Sequence, residues 1–88
     1  MREFNHTVKD KNGLHARPAG RLATAAKAFE SDVRVSLGTK EVDGKRLLSL
    51  MSLGAKCGSE LHFVINGIDE SEAEGALKAQ CKEILGGE

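Results

Sequence analysis

Three short stretches of this 88-residue chain alternate apolar and polar residues with a period of two, and that alternation constrains the fold more than any other feature. Phe4, His6 and Val8 alternate with Asn5 and Thr7, Val33, Val35 and Leu37 with Arg34 and Ser36, and Leu61, Phe63 and Ile65 with His62, Val64 and Asn66. A strand turns successive side chains to opposite faces, so each stretch reads as a strand with one buried and one wet face. Gly38-Thr39 offers a tight turn into Lys40 to Asp43, a second hairpin strand that is short or lies at an edge. Half-wet strands of this kind belong to an antiparallel sheet whose other face must be covered.

Segments of a different period supply the cover. From Ala16 onward, Ala19, Leu22, Ala23, Ala26 and Phe29 recur at steps of three and four with Arg21, Lys27 and Glu30 between them, which is an alanine-rich amphipathic helix. Leu47, Leu48, Leu50, Met51 and Leu53 are too dense for a half-exposed strand and end at Gly54, so a short helix is predicted there. Some of these side chains must pack inward, leaving two exposed. Asp69, with Glu72 three residues on, is a capping-box-like start to a last helix with Ala73, Leu77, Cys81 and Ile84 along one face and Gly86-Gly87 as its stop. The order β-α-β-β-α-β-α carries no repeat and no linker, and predicts a single α+β domain over residues 1–88.

Several function classes are disfavoured by composition. No apolar run approaches the roughly 18 residues of a membrane span, and the N-terminal MREFNHTVKD has no apolar core of a secretory signal, so a cytoplasmic location without membrane insertion is expected. Cys57 and Cys81 have no second Cys or His at a ligand spacing, which reads as two free thiols and no metal site. His6 falls on the apolar phase of its strand and His62 on the opposite phase, a semi-buried and a surface histidine. No phosphate-binding glycine loop is present, and no cofactor is expected. The order of elements resembles small RNA-binding sheets, but only Phe4, Phe29 and Phe63 are aromatic and the two in strands sit on apolar phases, which leaves no stacking platform for nucleic acid.

The net charge of zero hides a segregated field. Residues 1–46 carry ten Lys and Arg against six Asp and Glu, a net of +4, and residues 47–88 carry three against seven, a net of −4. His15 lies in the basic half, within Asn12-Gly13-Leu14-His15-Ala16-Arg17-Pro18-Ala19. Asp10 to Gly13 reads as a turn, and Pro18 falls in the first helical turn, where its missing N–H costs little. His15 is therefore at or beside the N-cap, with the backbone N–H groups of Ala16 and Arg17 pointing toward its ring. These donors and the positive end of the helix form an anion site, and Arg17 adds a guanidinium fork suited to phosphate oxygens. The same field disfavours a second ring proton and keeps a nitrogen lone pair available for attack. By position alone, the favoured reading of a histidine here is a cap or a partly exposed loop residue. A phosphohistidine phosphatase or mutase would want an acid beside the nucleophile, and the reading places none near His15.

The string GLHARPA, its place after the first strand, the chain length, the order of elements and Met51-Ser52-Leu53-Gly54 closely resemble the HPr family, the histidine-containing phosphocarriers of the bacterial phosphoenolpyruvate-dependent sugar phosphotransferase system. The resemblance covers essentially the whole chain. It implies an open-faced β-sandwich of four antiparallel strands and three helices, and phosphorylation of His15 on Nδ1 by enzyme I, with onward transfer to sugar-specific enzyme IIA domains. It implies that Arg17 contacts the phosphoryl group, that the protein is a monomer and a transfer intermediate rather than an independent catalyst, and that Leu47, Leu48 and Met51 form an apolar docking patch. Arg21, Lys27 and Arg46 are expected to extend a basic rim around His15 together with Arg17. In the register set by His15, the serine that a kinase modifies in many relatives is Arg46 here, so no regulatory serine is expected, and Ser49 and Ser52 read as ordinary helix residues. A paralogue serving a nitrogen-related or other regulatory phosphotransfer chain would carry the same chemistry at His15.

Overall fold

The computed structural model describes residues 1–85, so the Gly86-Gly87 helix stop lies outside the described residues. Its elements are β1 (Arg2–Thr7), α1 (Ala16–Lys27), β2 (Asp32–Leu37), β3 (Lys40–Asp43), α2 (Leu47–Met51), β4 (Glu60–Asn66) and α3 (Glu70–Leu85), in the order read from periodicity. The strands form one sheet in the order β1-β4-β2-β3, and every neighbouring pair is antiparallel. β4 is thus central, paired with β1 through Phe4 opposite Phe63 and with β2 through Val35 opposite Phe63 and Val33 opposite Ile65. β1 and β3 are the edges, and β3 is joined to β2 by a two-residue turn in which Gly38, at φ +63°, takes the first position.

The register divides the sheet into two faces. Val33, Val35, Leu61, Phe63 and Ile65 are buried beneath the helices, with Phe4 half-buried, while Glu3, Arg34 and Glu41 stand on the other face in solvent. α3 lies over β1 and α2 over β3, with α1 between them. The result is an open-faced sandwich, as the resemblance implied. α1 buries Pro18, Ala19, Leu22, Ala23 and Ala26, and Phe29 packs against the core from the loop that follows the helix. Small alanines on the buried stripe suit close helix packing, and the close neighbours of α1 are α3 and α2. Both aromatic side chains in strands pack toward the helices, Phe4 stacked on Phe63 with ring centroids 4.6 Å apart. His6 is buried, and His62 bridges Glu3 and Asn5 on the wet face. Both cysteines are free. Cys57 is exposed, whereas burial pushes the Cys81 thiol up to about 12, which makes it a core side chain rather than a nucleophile.

Two sequence expectations differ from the structure. On α3 the inward positions step by four through Ala73, Leu77, Cys81 and Leu85, which leaves Ile84 at the margin of that face and only partly buried. The expected capping box is replaced by a tertiary contact. The Asp69 carboxylate accepts the backbone N–H groups of Glu30 and Ser31, each at 2.9 Å, and the Ser31 hydroxyl, tying the entry of α3 to the loop between α1 and β2. Glu70 takes over the local role by accepting the Gly67 N–H at 3.0 Å.

These donors, the Ser31 hydroxyl foremost, hold the Asp69 carboxyl below its ordinary value of 3.8. A carboxylate depressed in the folded state stabilises above its unfolded value, and that contribution disappears as the pH falls through the folded one. The urea midpoint of the wild type is therefore expected to drop on acidification from about pH 5 to pH 2. Asp69→Asn, which keeps one carbonyl acceptor, should start lower and fall less steeply across the same window; parallel curves would remove Asp69 from this account.

Candidate functional site

The turn that leads into α1 is held from three directions. Asp10 Oδ1 accepts the Asn12 N–H at 2.8 Å, and the Asp10 carbonyl accepts the Gly13 N–H at 2.9 Å, which is the turn that Asp-x-Asn-Gly encodes. The Leu14 N–H reaches the Ala55 carbonyl at 3.0 Å, and the N–H groups of Lys9 and Asp10 reach the Leu85 carbonyl at 2.8 and 3.0 Å. Gly13 stands at φ +71° with the Ala55 carbonyl so near that an added Cβ would lie 2.4 Å from its oxygen. Only glycine fits both the conformation and the space.

His15 emerges from this turn as the N-cap of α1, with extended backbone angles, its carbonyl accepting the Ala19 N–H at 3.0 Å and its side chain making no capping bond. The ring stays 43% exposed and open to solvent. Ala16 and Arg17 occupy the first two helical positions and Pro18 the third, so two free-pointing N–H groups, rather than a full turn of them, form the mouth of the helix. Arg17 is exposed and, among the described residues, has no carboxylate partner.

A hollow of about 380 Å³ adjoins the ring, lined by Asp10, Asn12, His15, Arg17, Pro18, Arg21, Glu83 and Ile84. Two carboxylates in that lining were not foreseen. Asp10 Oδ2 lies 3.8 Å from His15 Nε2, which corrects the expectation that no acid stands beside the histidine. The local turn accounts for Oδ1, held on the Asn12 N–H; that Oδ2 comes to face the ring follows from tertiary packing and not from the turn motif. Glu83 reaches across from α3 to hold Arg21 at 2.7 Å, a pairing between residues 62 positions apart that no local pattern reports.

The other expected contact residues fall into a second group. Lys27, Arg46, Leu47 and Leu48 line a separate hollow of about 480 Å³ together with Asp43 and Lys45. An 11-residue step along α1 advances about 16 Å, so Lys27 and Ala16 stand at opposite ends of the helix and the basic rim is two clusters. Leu47 bridges toward the first, its Cδ1 4.0 Å from where a Cβ on Gly20 would stand. In α2, Leu50 is buried, and Leu53 just beyond it, while Leu47, Leu48 and Met51 are exposed, three side chains rather than the two expected, because a helix of five residues has a single inward-facing position. Arg46 is the exposed N-cap of α2 and makes no side-chain capping bond, and the Ser52 hydroxyl donates to the Ser49 carbonyl at 2.6 Å as an ordinary helix serine does. Among the described residues, no group of three or more His, Cys, Asp or Glu is arranged to hold a metal, and no helix is long and apolar enough to cross a membrane.

An exposed imidazole at a helix mouth on the rim of an open-faced sandwich is within reach of another protein, an arrangement compatible with a small carrier-type protein. Comparison with known proteins agrees. The family model described as the PTS HPr component phosphorylation site matches residues 2–83. The phosphocarrier protein HPr of Mycoplasma genitalium is 39% identical over 85 residues, 94% of either chain. The solved histidine-containing phosphocarrier protein of Mycoplasma superposes with a TM-score of 0.92 at 31% identity over 96% of both chains, and an HPr of Thermoanaerobacter tengcongensis with 0.91 at 36% identity over 100% of this chain and 99% of that one. The chain belongs to the HPr family of phosphocarrier proteins.

Proposed function

We propose that this chain carries phosphoryl groups within a phosphoenolpyruvate-dependent sugar phosphotransferase system, accepting them on His15 Nδ1 from phosphorylated enzyme I and passing them to enzyme IIA domains. The observation that carries this reading is the exposed His15 ring at the N-cap of α1, beside the exposed Arg17 guanidinium. An open ring suits a carrier, because a donor and an acceptor protein must each reach the same nitrogen. The N–H groups of Ala16 and Arg17, with the positive helix end, receive the phosphoryl oxygens, and the Arg17 fork neutralises them. The chain supplies the nucleophile and the anion site, and the partner proteins exclude water during transfer, so it acts as an intermediate and not as a catalyst on its own. No cofactor enters this scheme.

Arg21, Lys27 and Arg46 supply charge to the docking face, and Leu47, Leu48 and Met51 supply its apolar surface, Leu48 being 78% exposed. Exposed leucines next to lysine and arginine suit partners that present an acidic rim around an apolar centre. The protein is proposed to work in the cytoplasm as a monomer. Incubation with enzyme I and phosphoenolpyruvate, followed by intact-mass analysis, is expected to add one phosphoryl group that is lost in mild acid. An unmodified mass under conditions that charge a known HPr would overturn the assignment.

A further inference from the structure

Asp10 is held so that its two carboxylate oxygens do different things. Oδ1 accepts the Asn12 N–H at 2.8 Å and builds the turn, while Oδ2 faces His15 Nε2 at 3.8 Å. The residue's own N–H is anchored on the Leu85 carbonyl at 3.0 Å, so the end of α3 fixes where the carboxylate points. The other charged groups at this hollow are Arg17, Arg21 and Glu83, and of these Arg21 and Glu83 are paired with each other at 2.7 Å.

We propose that Asp10 is a positioning residue that keeps the single proton of the neutral His15 ring on Nε2 and so leaves the Nδ1 lone pair as the nucleophile. This rests on the reading of His15 as the phosphoryl acceptor and deepens it. A neutral imidazole carries its proton on either nitrogen, and a negative charge beside Nε2 favours the tautomer whose N–H points toward it. At a separation of this size through partly exposed surroundings the bias is on the order of threefold to tenfold. During transfer, the Nδ1 lone pair forms the bond to phosphorus while the bond from phosphorus to the donor breaks and its electron pair leaves with the donor. The Nε2 proton does not move. The phosphorylated ring is then an imidazolium, and Asp10 lies against the nitrogen that bears its proton; discharge to an acceptor reverses each change.

Asp10→Asn separates this role from the turn, because the amide retains a carbonyl oxygen for the Asn12 N–H and loses the charge. The test is nitrogen-proton correlation spectroscopy of the His15 ring at about pH 8.5, above the ordinary range of imidazole. The Nδ1–H share is expected to rise by about threefold or more in Asp10→Asn, while charging by enzyme I slows by less than that, because the reactive Nε2–H form loses only what the minor form gains. A tautomer ratio equal to that of the wild type overturns the proposal. Should the variant disturb the backbone of residues 9–16, the wild type in about 1 M salt decides instead, since screening must move its ratio in the same direction. Wild-type protein that charges elsewhere than on His15 would instead overturn the phosphocarrier reading, whatever the tautomer does.

Discussion

His15→Ala is expected to remain folded and to accept no phosphoryl group from enzyme I, while the wild type is charged to completion under the same conditions. The variant should fold because the ring makes no capping hydrogen bond and stays 43% exposed, so its removal opens no cavity and orphans no buried donor. A surface change of this kind shifts stability by about 0.5 kcal/mol or less. Charging, by contrast, should stop, because the proposed nucleophile at the mouth of α1 is gone. Intact-mass analysis reads the charging and urea denaturation the fold. If His15→Ala takes up phosphate as readily as the wild type, the site has been assigned to the wrong residue. Arg17→Ala is the graded companion: the ring remains and the two helix amides remain, so charging should slow on the order of tenfold to a hundredfold without stopping.

The largest loss of stability is expected from Phe63→Ala, about 3–5 kcal/mol in urea denaturation. Phe63 is almost wholly buried at the centre of β4, opposite Phe4 on one side and Val35 on the other, and its ring stacks on that of Phe4. Truncation removes the transfer free energy of a large side chain and leaves a void between strands held in place by their own ladders, so the surroundings collapse only partly. Domains of this size commonly have about 5–15 kcal/mol in total, and the midpoint should fall accordingly. At temperatures where the variant is still folded, charging of His15 should persist, since the turn from Asp10 to His15 is anchored on Ala55 and Leu85 rather than on Phe63. A loss below 1 kcal/mol would mean that the helices do not press on the sheet as described.

The elements and the placement of His15 were legible because both are local. A period of two or of three to four reports which side of a segment is buried, whatever covers it, and Gly13, His15 and Pro18 locate a helix start within six residues. The HPr resemblance added the carrier role and agreed with the open face already read from the alternation, and the fold and family comparisons agree with both. What periodicity does not carry is the identity of the partner. The Asp69-Glu72 spacing suggested a cap on α3, yet the carboxylate serves Glu30 and Ser31, nearly forty positions away. The leucine count in α2 predicted a split between core and surface but not its proportion, which depends on how a five-residue helix is set over β3.

From the sequence alone come the seven elements, the wet and buried faces of three of the four strands, and a histidine opening the first helix beside an arginine, because each follows from residues within a few positions of one another. The tertiary structure alone decides that β4 lies between β1 and β2, that Glu83 takes Arg21, that the basic side chains form two clusters, and that Asp10 faces the His15 ring. These depend on where distant segments of backbone come to rest, and the aim of a side chain is settled by that packing, not by its neighbours in the chain.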